Sequence, residues 1–233
     1  MRDYRYNYIL ASVVCFGLLK PISIDLSLGN AYNFQFSEIS IETYGEDESQ
    51  LFVSETKKSP KTHGFRNPQY YSIRLRESRY ELELVHHKLY LDEGLPDGVT
   101  HFELTDGYNL LTANIISQVN KKSSHSVFYY RVGIGTVVAH PDITIHENRY
   151  FKRGGGLLPK LWADGYHWGG FSSQISAFYK KQINQSVSCQ LELKAVYAHT
   201  KISLDPIEDI YERYDVIIPN FSLHLLAGIS FGK

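Results

Sequence analysis

A chain of 233 residues suits one domain, and 24 basic against 25 acidic side chains leave it near neutrality. With no basic stripe, that balance gives no footprint for nucleic acid. The 18 tyrosines, 12 phenylalanines and 2 tryptophans fit either a β-rich chain or one that meets a membrane–water boundary, so their placement has to decide.

The N-terminus reads as an export leader. Arg2 and Arg5 precede the apolar stretch Ile9 to Leu19, and the small residues Gly29 and Ala31 suit a cut after Ala31. The stretch is about half the ~20 apolar residues that a spanning helix needs, and Lys20, Pro21 and Asp25 interrupt its continuation. The expected organisation is therefore a signal peptide over 1–31 and a single domain over 32–233. Val14 is bulky where a lipoprotein cleavage box before Cys15 wants a small residue. Once the leader is gone Cys189 stands alone, which rules out an internal disulfide.

Beyond the leader no window approaches ~18 consecutive apolar residues, so spanning helices are excluded. The remaining route through a bilayer is a closed barrel, in which strands satisfy one another's backbone groups. Period-two alternation predicts strands over Phe34–Tyr44, Gln69–Arg76, Arg79–Leu91, Thr100–Gln118, Ser126–Ala139, Gly170–Lys181, Val187–Leu204 and Val216–Phe231. Asp106-Gly107 interrupts the fourth and suggests a bulge. Connections after the even strands are tight: Glu77-Ser78, a stretch around Asn120–Ser124, and Asn184-Gln185. Those after the odd strands are longer: Gly45–Pro68, Asp92–Val99, His140–Gly169 and Asp205–Asp215. Such sorting has a reason in a membrane barrel, with short turns on one side and long loops on the other.

The faces support the same architecture. Tyr71, Ile73 and Leu75 oppose Ser72, Arg74 and Arg76; Leu191, Leu193 and Tyr197 oppose Gln190, Glu192 and Lys194; Leu223 and Leu225 oppose Ser222 and His224. A cationic side chain facing lipid costs about 2–4 kcal/mol near the midplane. Arg74, Arg76, Glu81, Glu83, Arg131, Glu192 and Lys194 are therefore expected to meet inside as an ionic network. Eight strands leave just enough interior for side chains to fill, so the fold expected is all-β: an eight-stranded antiparallel up-and-down transmembrane barrel with a polar filled interior and no open pore. Phe36, Tyr80, Phe128, Tyr179 and Phe231 read as a girdle at the short-turn side, and Tyr71, Tyr90, Phe102, Phe171, Tyr197 and Phe221 as one at the long-loop side.

These patterns resemble the small outer-membrane β-barrels of Gram-negative bacteria over the whole chain after the leader. The ending His224-Leu-Leu-Ala-Gly-Ile-Ser-Phe231 is similar to the C-terminal strand signal read by the barrel-assembly machinery, although Gly232 and Lys233 follow the aromatic residue. The resemblance implies the bacterial outer membrane as location, lipid and lipopolysaccharide as surroundings, and a structural or surface-interaction role for a monomer. It also implies an alternative, since such barrels include lipid A-modifying enzymes, a palmitoyltransferase and a deacylase. Neither has a clean motif here: Ser124-His125-Ser126 is the nearest text to a deacylase's His and Ser, with the wrong spacing and at a tight turn. His87, His101 and Glu103 are candidates for an acid–base cluster at the rim, expected to share the inward parity on neighbouring strands. The competing reading is that they are polar fillers at a barrel mouth. No cofactor signature and no metal-ligand spacing is present, because His86 and His87 point to opposite faces. Arg149, Lys152, Arg153 and Gly154–Gly156 lie in the longest loop, where they read as a flexible surface segment or as a contact for lipopolysaccharide phosphates.

Overall fold

Two-faced strands with nothing but lipid or water beyond them must close on one another or leave an edge of unpaired backbone. A computed structural model, which describes residues 22–45, 50–66, 69–120, 126–151, 166–204 and 213–232, shows how this chain closes. Its strands are β1 (Ser23–Phe34), β2 (Ile39–Tyr44), β3 (Gln50–Thr56), β4 (Tyr71–Glu77), β5 (Tyr80–Tyr90) and β6 (Val99–Asn120). There follow β7 (Ser126–Ala139), β8 (Asp142–Ile145), β9 (Asn148–Phe151), β10 (His167–Gln182), β11 (Val187–Leu204) and β12 (Arg213–Phe231). Eight of them form an antiparallel ring in the order β1, β4, β5, β6, β7, β10, β11, β12, and β1 returns to β12 to shut it. The closing ladder runs from Ile24 opposite Phe231 to Phe34 opposite Phe221.

The remaining four strands are two hairpins at the long-loop end. β2 extends the sheet beyond β12, with Arg213 opposite Tyr44, and carries β3 on its far side. β8 lines the outer end of β6, with Glu103 opposite Asp142, and carries β9. Ile39, Ile41, Ile143 and Ile145 are buried beneath these hairpins, and Tyr150 of β9 meets Tyr214 of β12 with ring centroids 5.0 Å apart. The two hairpins thus prolong the wall past the ring, and β9 reaches over to β12.

The ring strands keep their parity, apart from β10, where a bulge between Trp168 and Gly170 turns Trp168 outward, but the chemistry of the two faces exchanges part-way along. On β11 the inward residues are Gln190, Glu192 and Lys194 and then Val196, Ala198, Ile202 and Leu204. The outward ones are Leu191, Leu193 and Tyr197 and then His199, Lys201 and Ser203. β6 does the same: Thr112 and Asn114 face in beside the short-turn half, and Tyr108, Leu104 and Phe102 face in above them. The interior therefore has a polar half and an apolar half. The sequence-based expectation of a polar filling holds only for the first of these.

Two further expectations are corrected. The first barrel strand is Ser23–Phe34, not Phe34–Tyr44, whose second half is β2. Residues Ser23–Ala31, assigned above to a leader, stand in the wall with alternating buried and exposed side chains, so the barrel begins at Ser23 and not after Ala31. Residues 1–21 lie outside the described residues, as do Ser124-His125 and the loop residues 152–165. The shift of the first strand also moves Phe36 to the opposite girdle, where its ring centroid is 5.4 Å from that of Phe221.

The wall has one irregular place. β4 is only 7 residues long, and its ladder with β1 stops at Leu28 opposite Tyr71. β1 and β5 both run on past that point. Residues 59–66 fill the gap as a strap. Lys61 makes a two-way backbone pairing with Tyr90 of β5, at 2.7 and 2.9 Å. On the β1 side the joints use side chains: the Gln35 amide N–H donates to Ser59 Oγ, the Asn33 side-chain amide donates to the Pro60 carbonyl and to Thr62 Oγ1, and the Gly64 N–H donates to Asn30 Oδ1. Gly64 fits because its α-carbon lies against β1; a β-carbon there would come within 2.5 Å of the Gly29 carbonyl oxygen.

Candidate functional site

The outward side chains of the short-turn half are apolar all round the ring. Leu28 on β1, Ile134 on β7, Ile175 on β10, Leu193 on β11 and Leu225 on β12 are between 55% and 72% exposed, a belt that water would penalise and acyl chains would not. Tyr71, Phe171, Tyr197 and Phe221 stand at its long-loop margin, whereas Tyr90 and Phe102, expected there too, are buried beyond it. Facing the belt from within is an ionic layer. Such a wall, greasy outside and charged inside, is built to span a bilayer. No helix among the described residues is long and apolar enough to cross a membrane.

The layer consists of Arg74 on β4, Glu81 and Glu83 on β5, Arg131 on β7, and Glu192 and Lys194 on β11. Their neighbours in space follow from register: Arg74 is opposite Glu83 on the adjacent strand. Arg74 Nε donates to Glu83 Oε1 at 2.8 Å and its Nη2 lies 2.6 Å from Glu192 Oε2. Arg131 bridges Glu81, through Nε at 2.7 Å, and Glu192, through Nη1 at 2.5 Å. The Lys194 ammonium pairs with Glu83. Ser72, Asn114 and Gln174 donate into the same carboxylates. Three cations meet three carboxylates with side-chain exposures of 0% or 1%, so the charges balance in a place where an unpaired one would be costly. Arg76, expected in this network, lies one step towards the short turns, where it is half-buried and donates to Ser23 Oγ at 3.0 Å.

Above the ionic layer comes a layer of histidine, tyrosine and hydroxyl side chains. His224 takes a hydrogen bond with Tyr70 at Nδ1 and with Ser222 at Nε2, the latter at 2.6 Å. His87 Nε2 is 3.0 Å from Thr62 Oγ1 of the strap, and the two imidazoles stand 4.9 Å apart, centroid to centroid. Tyr108 closes the layer against Thr200 at 2.9 Å. His224 was visible in the sequence as an inward residue of the last strand; the roles of Tyr70 and Thr62 were not, because nothing in the pattern shows a loop folding back into the wall.

The structure does not assemble the acid–base trio suggested by the sequence. His87 is fully buried in the interior and opposite Tyr108. His101 and Glu103 are on the outward parity of β6, beyond the belt, where they face each other at 4.0 Å and are partly exposed. The reason is the exchange of faces: above the belt, outward residues are polar. At the same rim Arg149 clasps Asp142, donating from Nε and Nη2 to its two carboxylate oxygens. That contact, above all, holds the Asp142 carboxyl below its ordinary value despite burial, and raises Arg149 in return. Just past the end of the neighbouring β5, Asp92 is likewise lowered: burial opposes this, but His63 and Lys61 outweigh it. Among the described residues no cluster of His, Cys, Asp and Glu is placed to hold a metal ion.

No family model matches the chain, and no curated protein sequence matches it. Three solved structures are similar in shape. Neisserial surface protein A is 11% identical, with 90% of this chain and 96% of that one covered and a TM-score of 0.43. The outer membrane protein AlkL, seen in lipid bilayers, is 11% identical, with 92% and 90% covered and a TM-score of 0.45. The outer membrane protease OmpT from Escherichia coli is 8% identical, with 93% and 98% covered and a TM-score of 0.36.

Proposed function

We propose that this eight-stranded β-barrel is an integral outer-membrane protein of structural or surface-interaction kind, with its long loops outward and no open pore. The observation that carries this reading is the ionic layer. Arg74, Arg131, Lys194, Glu81, Glu83 and Glu192 meet across the lumen with no side chain more than 1% exposed. An ion crossing would have to displace charges that already satisfy one another. The hairpins β2–β3 and β8–β9 supply the surface offered to the outside. Lipid and lipopolysaccharide surround the belt, and the last strand, ending at Phe231, is delivered to the barrel-assembly machinery. The test is conductance: the purified barrel inserted in planar bilayers is expected to leave them silent, and stable unitary current steps would refute the closed reading. Antibody binding to β2–β3 on intact cells is expected, and binding only after permeabilisation would reverse the orientation.

A further inference from the structure

Beside the strap, two cations share one aromatic ring, and among the described residues no carboxylate is within ion-pair distance of either. Arg66, at the end of the strap, lies with its Cζ 5.3 Å from the centroid of Tyr90, and Lys88 Nζ lies 5.6 Å from the same centroid. Lys88 is buried under the strap and donates to the Arg66 carbonyl. Arg66 itself is exposed. The acids nearest along the strap are committed elsewhere: Asp92 holds Lys61 and His63, and Glu93 reaches Lys61. Glu103 lowers the local positive field but is beyond ion-pair distance of Lys88. Among the described residues, neither Arg66 nor Lys88 makes an ion pair.

The height of this pair is informative. Lys88 follows His86 by two residues, and the His86 ring stacks on Tyr71 at 5.0 Å, at the margin of the belt. Two residues of strand rise about 7 Å, which puts the cations just outside the hydrocarbon, at the depth of lipid headgroups. Phe65, beside Arg66, is 75% exposed and is suited to the same boundary. A guanidinium in a ready planar fork recognises phosphate oxygens two at a time, and a buried ammonium beneath it strengthens the field where water is scarce.

We propose that Arg66, with Lys88 beneath it and Phe65 beside it, binds a phosphate of the outer-leaflet glycolipid, lipid A. This rests on the orientation proposed above. Phosphate binding would also pin the strap over the gap between β1 and β5, since the Lys88 ammonium, donating to the Arg66 carbonyl, ties the strap to β5.

The full-length folded barrel in zwitterionic micelles would be titrated with diphosphoryl lipid A, with the same lipid dephosphorylated, and with inorganic phosphate, reading the thermal midpoint. Diphosphoryl lipid A is expected to raise the midpoint, with Arg66→Gln and Lys88→Gln each weakening the apparent affinity about tenfold or more. Lys88→Gln keeps a donor for the Arg66 carbonyl, so it separates charge from folding. Retained gel mobility shift on boiling certifies that each variant is a folded barrel, whatever the lipid result. Equal effects of the two lipid forms, or undiminished binding by both variants, would overturn the site. A comparable effect of inorganic phosphate alone would overturn the lipid assignment in favour of a soluble anion.

Discussion

Arg131 joins two carboxylates of the ionic layer, because it touches Glu81 and Glu192 at once, and it lies over the Phe178 ring at 4.6 Å. Replacing it by Met takes the near cation from Glu81 and one of two close arginines from Glu192, leaving a buried excess of negative charge, a loss of about 3–5 kcal/mol by the behaviour of other buried pairs. Arg131→Met is therefore expected to lower the urea midpoint of the barrel in lipid vesicles by that amount, and adding Glu192→Gln to restore part of it. If the double variant is weaker than the single one by a full further increment, the two residues do not act as a pair. A smaller effect of the opposite sign is expected at the β8–β9 turn. His146 and Glu147 both have positive φ, 46° and 69°, which is the requirement of a two-residue turn that prefers glycine at its second position. Glu147→Gly is expected to stabilise that hairpin by about 1 kcal/mol, read as slower amide exchange in β8 and β9.

The strap and the hairpins are the elements in which stability is local. Asn33 donates to Pro60 and Thr62 and accepts from Asn220, so Asn33→Ala removes the strap's main joint to β1. A loss of about 1–3 kcal/mol confined to the strap is expected, seen as faster exchange at Lys61 and Tyr90 with little change in the barrel midpoint. The β8–β9 hairpin answers instead to acid. Asp142 is held below its ordinary value in the folded state, so its contribution is complete above the unfolded value of ~3.9 and disappears as pH falls through the lower folded value. The clasp with Arg149 is expected to be intact at neutral pH and to open only in that strongly acid range. Amide exchange of β8 that accelerates already near neutrality would assign the hairpin's stability to another group. Neither element was legible beforehand. The strap contributes a single backbone pairing and the hairpin strands are four residues each, too short for alternation to stand out from chance.

For the molecule as a whole, alternation carried the ring and the balanced charges, because the period of two survives wherever one face meets lipid. It misplaced His101 and Glu103 because polarity and direction are linked only inside the bilayer. Past the belt the same parity points to water outside and to the apolar core inside, so a polar residue there faces out. The N-terminal boundary failed for a different reason. Small residues suit a peptidase cleavage site, and they equally suit a crowded wall: a β-carbon on Gly29 would lie 2.3 Å from the Leu225 carbonyl oxygen. A cut after Ala31 would leave β1 only Tyr32, Asn33 and Phe34 of the ladder that runs from Ile24 to Phe34 against β12, and none of that from Ser23 to Leu28 against β4. β4 and β12 would then face lipid with open backbone groups, each at several kcal/mol. The protein recovered from membranes is accordingly expected to begin at or before Ser23, as read by N-terminal sequencing. A chain truncated to begin at Tyr32 is expected to lose the boiling-dependent shift in gel mobility. A mature N-terminus at Tyr32, with that shift intact, would mean that some other strand closes the ring.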